Sequence, residues 1–322
     1  MRGHRKLAST LLIAFALLAC SRTAGAVPRS CSVGAYVISL YDFDLARGTF
    51  GADLWLWSTC PSADLKPLEV MDFVNATAVT RSLAATSETG GLHWSYVKVS
   101  GVFRHTWDVR RYPFDRHDLE IVVENTNVPA SAFSFVADRA GSKPSRDIRI
   151  EGWQVTGFAI DERKYVYDTI FGDPSFEGEA ESDYARLAVS ISIARAKYFS
   201  FIKLVAGVYV AVALSLLAFL LGPYNGRRRT NILVGTLFAV LVNMRVSETV
   251  IGRTESVTLV DEIHLVAMVY IFCIAFAGIY AQWLHDAERV EDAVRADTTA
   301  LWIAGLSYVA VNVALIAGAA LR

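Results

Sequence analysis

The chain has few of the residues on which metal, redox and nucleotide chemistry usually rest. Its 322 residues include four cysteines and six histidines, with no CxxC, no HExxH and no glycine-rich phosphate loop. Paired-cysteine zinc modules, zinc-protease helices and P-loop nucleotide sites are therefore excluded, and the sequence calls for no metal or cofactor. The net charge is −1, from 31 Lys and Arg against 32 Asp and Glu, so no basic excess marks a nucleic-acid surface. No nucleophile–base pair stands out, which points away from an enzyme.

What is present splits the chain in two. Hydrophobic residues make up 53% and mean hydropathy is +0.35, yet 20% of residues are charged. A polar domain and a membrane domain must share the sequence. The N-terminus reads as a signal peptide over residues 1–26: Arg2, His4, Arg5 and Lys6 precede the apolar run Leu7 to Ala19, and Ala24-Gly25-Ala26 suits a signal peptidase. A lipobox-like Leu17-Leu18-Ala19-Cys20 competes with it. Simple cleavage is preferred, because a protein with several later spans needs no lipid anchor.

Residues 27–197 read as an exported β-domain. YVISLYDF and TFGADLWLW alternate in β fashion about the break Asp44 to Gly48, a hairpin signal. With the turn centred near Leu45 and Ala46, Cys31 comes opposite Cys60 within reach of a disulfide, plausible in an oxidising compartment. Further strands, MDFVNATAV, LHWSYVKVSGVFRHTW, LEIVVENT, FSFVAD, RIEGWQVTGFAI, KYVYDTIF and ARLAVSISIARA, are spaced as in a β-sandwich. The acidic segment Gly172 to Asp183 is expected to be a long exposed hairpin loop.

Residues 198–322 change character. Runs at about 201–221, 229–251, 263–284 and 298–321 are each long enough to span a bilayer, predicting a four-helix membrane domain. Cys273 falls inside the third run and is expected to be inert. The cluster Arg227-Arg228-Arg229 marks a cytoplasmic loop by the positive-inside rule, which leaves the β-domain outside. The chain is thus expected to be a multi-pass protein of the inner or plasma membrane with an extracytoplasmic N-terminal domain. The His285 to Asp297 loop carries both charge signs and does not bear on orientation.

The second run is too polar to face lipid. On a helix Asn231, Gly235, Phe238, Val242, Arg245 and Thr249 recur at steps of four and three, forming one stripe. Asparagine and arginine inside a membrane are costly unless they meet water or protein, so the stripe is read as a pore wall. The plain alternative is a helix buried in a bundle.

The segment Asp108-Val109-Arg110-Arg111-Tyr112-Pro113-Phe114-Asp115 resembles the signature loop of the pentameric ligand-gated ion channels, the Cys-loop receptor family, in its bacterial branch. Lys197-Tyr198-Phe199-Ser200-Phe201, the Ile251-Gly252-Arg253 turn and the short connection between the third and fourth helices are similar too. The resemblance covers nearly all of the mature chain. It implies a homopentamer in the lipid bilayer, an agonist, either a small molecule or a proton, bound at extracellular subunit interfaces, and a pore for ions lined by the second helix. The family's two loop cysteines match His105 and Leu119, as in Cys-less bacterial members. Where the family has Trp-x-Pro-Glu this chain has Pro67-Leu68-Glu69-Val70, ahead of Phe73-Val74-Asn75. Positions of cage aromatics in amine-binding relatives match Val74 and Thr126, which speaks against cation–π capture of a cationic ligand on this face. The prolines usual in the first helix and between the second and third are absent, and the arginine usual two residues before Tyr198 is Ala196, beside Arg195.

The resemblance also places the sites. Phe238 with Val242 one turn above would form a hydrophobic gate. Agonist candidates are Phe176, Glu177, Glu179, Glu181 and Tyr184 from the acidic hairpin, facing Trp57, Trp94 and Tyr96 on strands of the next subunit; the plain alternative is a solvated loop with the aromatics in the sandwich core. Coupling to the bundle falls to Arg111, Tyr112, Pro113, Phe114, Asp115, Arg195 and Arg253, with charge-assisted contacts expected of Arg111 and Asp115 across the turn and Arg195 paired with Asp115; the plain alternative is static salt bridges. Arginines at Arg227 to Arg229 and at Arg245 lean towards anions, against Glu248 and Glu255 near the outer end. His117 beside Asp115 and Asp118 is read as part of a solvated loop rather than a metal site. The alternative function is a non-conducting, membrane-anchored ligand-binding receptor.

Overall fold

The computed structural model describes residues 29–174, 180–196, 199–251 and 256–321. The predicted signal peptide, the agonist candidates Phe176, Glu177 and Glu179, the expected coupling residue Arg253, and Glu255 lie outside them.

Ten strands come first. β1 (Arg29–Asp44), β2 (Thr49–Cys60), β4 (Ala76–Thr89), β5 (Leu92–Arg104), β7 (Phe133–Ala137) and β8 (Lys143–Pro144) form a six-stranded sheet, ordered β4-β5-β2-β1-β7 with β8 also on β1. β3 (Met71–Phe73), β6 (Arg116–Asn125), β10 (Ser182–Arg195) and β9 (Trp153–Tyr167) form a four-stranded sheet in that order. The period-two pattern explains the two layers. Val33, Ala35, Val37, Leu54 and Leu56 are buried from one sheet, and Leu119, Ile121, Leu187, Val189 and Ile191 from the other, while their neighbours in sequence face outward.

MDFVNATAV, read as one strand, is two strands in different sheets. Asn75 makes the break: its Nδ2 donates to the Glu120 carbonyl at 2.7 Å and its Oδ1 accepts from the Val122 N–H at 3.0 Å, so the side chain replaces ladder bonds where the backbone changes sheets. RIEGWQVTGFAI and KYVYDTIF are instead parts of one strand, β9. β4 also runs through residues 81–89, which the sequence left unassigned, to a turn in which Gly90 and Gly91 both have positive φ, the conformation glycine adopts without a Cβ clash.

Cys31 and Cys60 are bonded, with Cα atoms 4.5 Å apart. The route to that register differs from the expected turn. Asp44 pairs with Thr49, which by itself would carry Cys31 past Cys60; two one-residue bulges in β1, between Val37 and Ser39 and between Tyr41 and Asp44, bring the cysteines opposite each other.

Four helices follow: α1 (Phe199–Leu217, continued by a 3₁₀ turn Ala218–Leu221), α2 (Gly226–Ile251), α3 (Leu259–Asp286) and α4 (Val290–Leu321). All four are long and apolar enough to cross a membrane, which marks a multi-pass membrane protein. The ends extend beyond the hydropathy limits where polar residues build them. α3 starts four residues early because Thr258 and Asp261 make a capping box. α4 starts at Val290, so most of the presumed loop from His285 to Asp297 is helix. Cys273 is a free, exposed thiol on α3.

Inside the bundle several buried polar groups pair. Ser215 and Thr236 share a 2.7 Å hydrogen bond between α1 and α2. Arg229, at the start of α2, is 4% exposed; its Nη1 donates to Asp297 Oδ1 of α4 at 3.1 Å, its Nη2 bonds Asp297 Oδ2, and Nη2 also donates to the Phe219 carbonyl at 3.0 Å.

The bridge closes a separation of 29 residues. Replacing both cysteines by serine is expected to cost about 3–4 kcal/mol through the freed unfolded chain, read as a lowered melting temperature of the β-domain signal. Peptide mapping without reductant that finds both thiols free refutes the bridge.

Candidate functional site

Three sets of residues carry the functional reading, and the fold places them apart. The first is on α2. Asn231, Gly235, Phe238, Val242, Arg245 and Thr249 all lie on its exposed side, and Phe238 and Val242 are each 63% exposed. The opposite side, with Leu233, Thr236, Val240 and Ser247, packs into the bundle. Phe238 is therefore not packed between helices of its own chain. α2 has the lowest mean hydropathy of the four spans, 1.4 against 2.0 to 2.6, yet most of its surface is open.

Two of the arginines read as charged rings are not free. Arg229 is withdrawn into its ion pair with Asp297, so it cannot line a mouth; this corrects the expectation for the Arg227 to Arg229 cluster. Arg227 and Arg228 remain exposed. Arg245 Nη1 bonds Glu248 Oε2 at 2.8 Å, one turn away on the same helix, and the two charges offset each other.

The second set consists of aromatic residues on the outer faces of the sandwich. Trp57, Trp94 and Tyr96 are not in its core. They sit on the outward side of β2 and β5, where Tyr96 lies with its ring 5.0 Å from Trp94 and 5.4 Å from Trp55. Trp57 lies flat over Gly34, where a Cβ would come within 2.3 Å of the indole, and its Nε1 donates to Asp138 at 3.0 Å.

The opposite sheet carries a second cluster that includes Tyr184. Tyr165 and Tyr184 are paired across β9 and β10, and the rings of Tyr165, Tyr167, Phe171 and Tyr184 form a chain of edge contacts at 4.8 to 6.5 Å. Arg186 fills it. Its guanidinium lies 3.5 Å over the Tyr165 ring, Nε donates to Glu124 at 2.6 Å and Nη2 to the Tyr167 hydroxyl at 2.8 Å. Sequence reading found Tyr184 but missed Tyr165, Tyr167, Phe171, Arg186 and Glu124. The signal was available: on paired strands Tyr165 and Tyr184 face the same way, and KYVY alternates. Glu181 is exposed and stands apart from this network. Ring contacts join each cluster internally, and among the described residues none joins one cluster to the other.

The third set lies where sandwich and bundle meet. Asp115 is 3% exposed. Arg195 Nε donates to both of its oxygens at 3.2 Å, and His117 Nε2 donates to Oδ2 at 3.1 Å. The Arg195–Asp115 contact expected from the sequence is present, whereas Arg111 is exposed. The Arg195 guanidinium also covers the Trp153 ring at 3.9 Å and the Tyr112 ring at 4.8 Å. His117, read as a solvated loop residue, is buried on β6. On its far side His117 Nδ1 meets His105 Nε2 at 3.3 Å. Burial, and then the neighbouring His117, push the His105 imidazole down to about 4.

This loop touches the bundle directly. The Leu259 N–H, in the first turn of α3, donates to the Arg110 carbonyl at 3.1 Å. Arg111, Pro113, Phe114, Asp115 and Arg195 line one cavity with Ala319 to Leu321 at the end of α4. Leu45 to Thr49, the β1–β2 turn, line another with Ser256 and His105.

No protein-family model matches the chain, and no curated protein is significantly similar to it in sequence.

Breaking a buried ion pair from one side leaves an uncompensated charge, which costs about 3–5 kcal/mol. Asp115→Asn and Arg195→Met should each be strongly destabilising, and the double variant less so than the sum of the two. Additive losses in thermal melts would show that the two side chains are not coupled.

Proposed function

We propose that this protein is a ligand-gated ion channel of the pentameric Cys-loop type, in which an agonist bound between neighbouring β-sandwiches opens a pore lined by α2. The observation that carries the reading is the open face of α2. A membrane helix bearing Asn231, Arg245 and Thr249 on its exposed side needs water or another protein there, and a ring of copies around an aqueous axis supplies water. A helix that merely anchored a receptor would have no use for that stripe.

The aromatic clusters support the same assembly. They sit on outer faces of opposite sheets, so one chain cannot bring them together. A cyclic arrangement sets the Trp57, Trp94 and Tyr96 face of one copy against the Tyr165, Tyr167 and Tyr184 face of the next. An interface between two such faces is a natural agonist pocket. The junction supplies the transmission: Asp115 and Arg195 link the signature loop to the strand that leads into α1, and Arg110 bonds the start of α3.

Within the pore Phe238 is the gate residue, closing by dewetting where five rings converge. Arg227 and Arg228, the exposed arginines at the inner end, favour anions; Arg229 and Arg245 contribute little, being paired.

Reconstitution into liposomes tests the reading. The wild-type chain should carry ions in response to a ligand or a pH step, and Phe238→Ala should raise the resting leak about tenfold or more. A correctly assembled oligomer with no ion flux under any condition, and no leak in Phe238→Ala, would leave only the anchored receptor. Reversal potentials in asymmetric chloride and potassium gradients check the anion preference.

A further inference from the structure

We propose that His105 and His117 form a binding site for a divalent transition cation of the zinc class, at the junction between the β-sandwich and the membrane bundle.

Two imidazole nitrogens on one tetrahedral zinc, each about 2.0–2.1 Å from it, stand about 3.3–3.4 Å apart. His105 Nε2 and His117 Nδ1 stand 3.3 Å apart, with ring planes at 87°. A small turn of either ring directs both lone pairs at a shared point. A plain hydrogen bond between histidines has the same separation, so the surroundings decide between the two.

Those surroundings suit a metal. His117 is oriented from behind: its Nε2 donates to the buried carboxylate of Asp115, the arrangement that fixes a metal-binding imidazole in the right tautomer and raises its basicity. His105 comes from the other side, half-buried, with its Nε2 turned to His117 Nδ1. Trp107 packs on both rings, at 4.7 and 4.8 Å, and its buried indole N–H has no acceptor among the described residues.

The site is also reachable. His105 and Trp107 line a cavity of about 910 Å³ that Asp118 and Glu120 border. Those carboxylates draw a cation in without ligating it directly, since Asp118 accepts from Ser192 at 2.6 Å and Glu120 from Arg163 at 2.8 Å. Among the described residues no three His, Cys, Asp or Glu side chains gather as a metal cluster. The chain thus gives two ligands, and water completes the shell. Such a site binds reversibly, as a modulator does, rather than as a structural zinc.

Its position gives the cation something to act on. Asp115, behind His117, is also the carboxylate that holds Arg195, and the cavity is shared with the β1–β2 turn and Ser256 just before α3. On the channel reading proposed above, and resting on it, occupancy would tighten the junction and change gating.

The binding test does not depend on conduction. The mature protein, without a histidine tag and with Cys273→Ser to remove the exposed free thiol, is titrated with cobalt(II) and then zinc(II). Expected is one cobalt per chain with tetrahedral ligand-field absorption, displaced by zinc. His105→Gln and His117→Gln should each weaken binding at least about tenfold, while His93→Gln, on the exposed ribbon, should not. His105 is the half-exposed member, so His105→Gln is the variant expected to stay folded if His117→Gln does not. No cobalt absorption, or equal affinity in His105→Gln and wild type, overturns the site. Zinc that binds yet leaves the flux of a conducting channel unchanged overturns the gating role. A chain that binds cobalt but conducts nothing under any stimulus upholds the site and removes the channel reading instead.

Discussion

Asp115 is a carboxylate almost wholly removed from water, and such a group is tolerated only with its charge matched and its oxygens bonded. Both conditions are met from other parts of the fold. Arg195 comes from the last residue of β10, His117 from the strand that starts beside the loop, and Tyr112 and Trp153 shelter the guanidinium. Moving any one of these elements relative to the rest uncovers a charge. The loop, the four-stranded sheet and the end of β10 are therefore tied at one point.

A different constraint governs the outside of the molecule. Each sheet spends its inner face on the shared core, so anything distinctive must be displayed outward. Here the outward groups are aromatic on one sheet, and aromatic with an internal Arg186–Glu124 pair on the other. A guanidinium already lying over Tyr165 satisfies that cage electrostatically. The same Arg186 is held by Glu124, so the chemistry of this face differs from an empty aromatic box.

Much of this was legible in the sequence because it is periodic. Alternation gave the strands, run length gave the four helices, and steps of four and three gave the open stripe of α2. What escaped depends on side chains acting far from their neighbours in sequence. Asn75 splits a strand by bonding β6; two bulges in β1 reset the cysteine register; Arg186 reaches Glu124 across 62 residues. The Arg229–Asp297 pair could not be seen either, since a basic cluster looks the same whether one member points inward or all face water. Only the capping box at Thr258 and the Tyr165 and Tyr184 pairing were there to be read locally.

That last ion pair has a consequence for how the sequence can change. Arg229 and Asp297 lie 68 residues apart, and their codons are inherited as separate sites. Losing either side chain alone strands the other inside the bundle, where a lone charge is far costlier than at the surface. A neutral replacement therefore requires two substitutions whose first step is harmful. Descendants of this chain should keep the pair, or lose both members together, even as the lipid-facing residues around them drift.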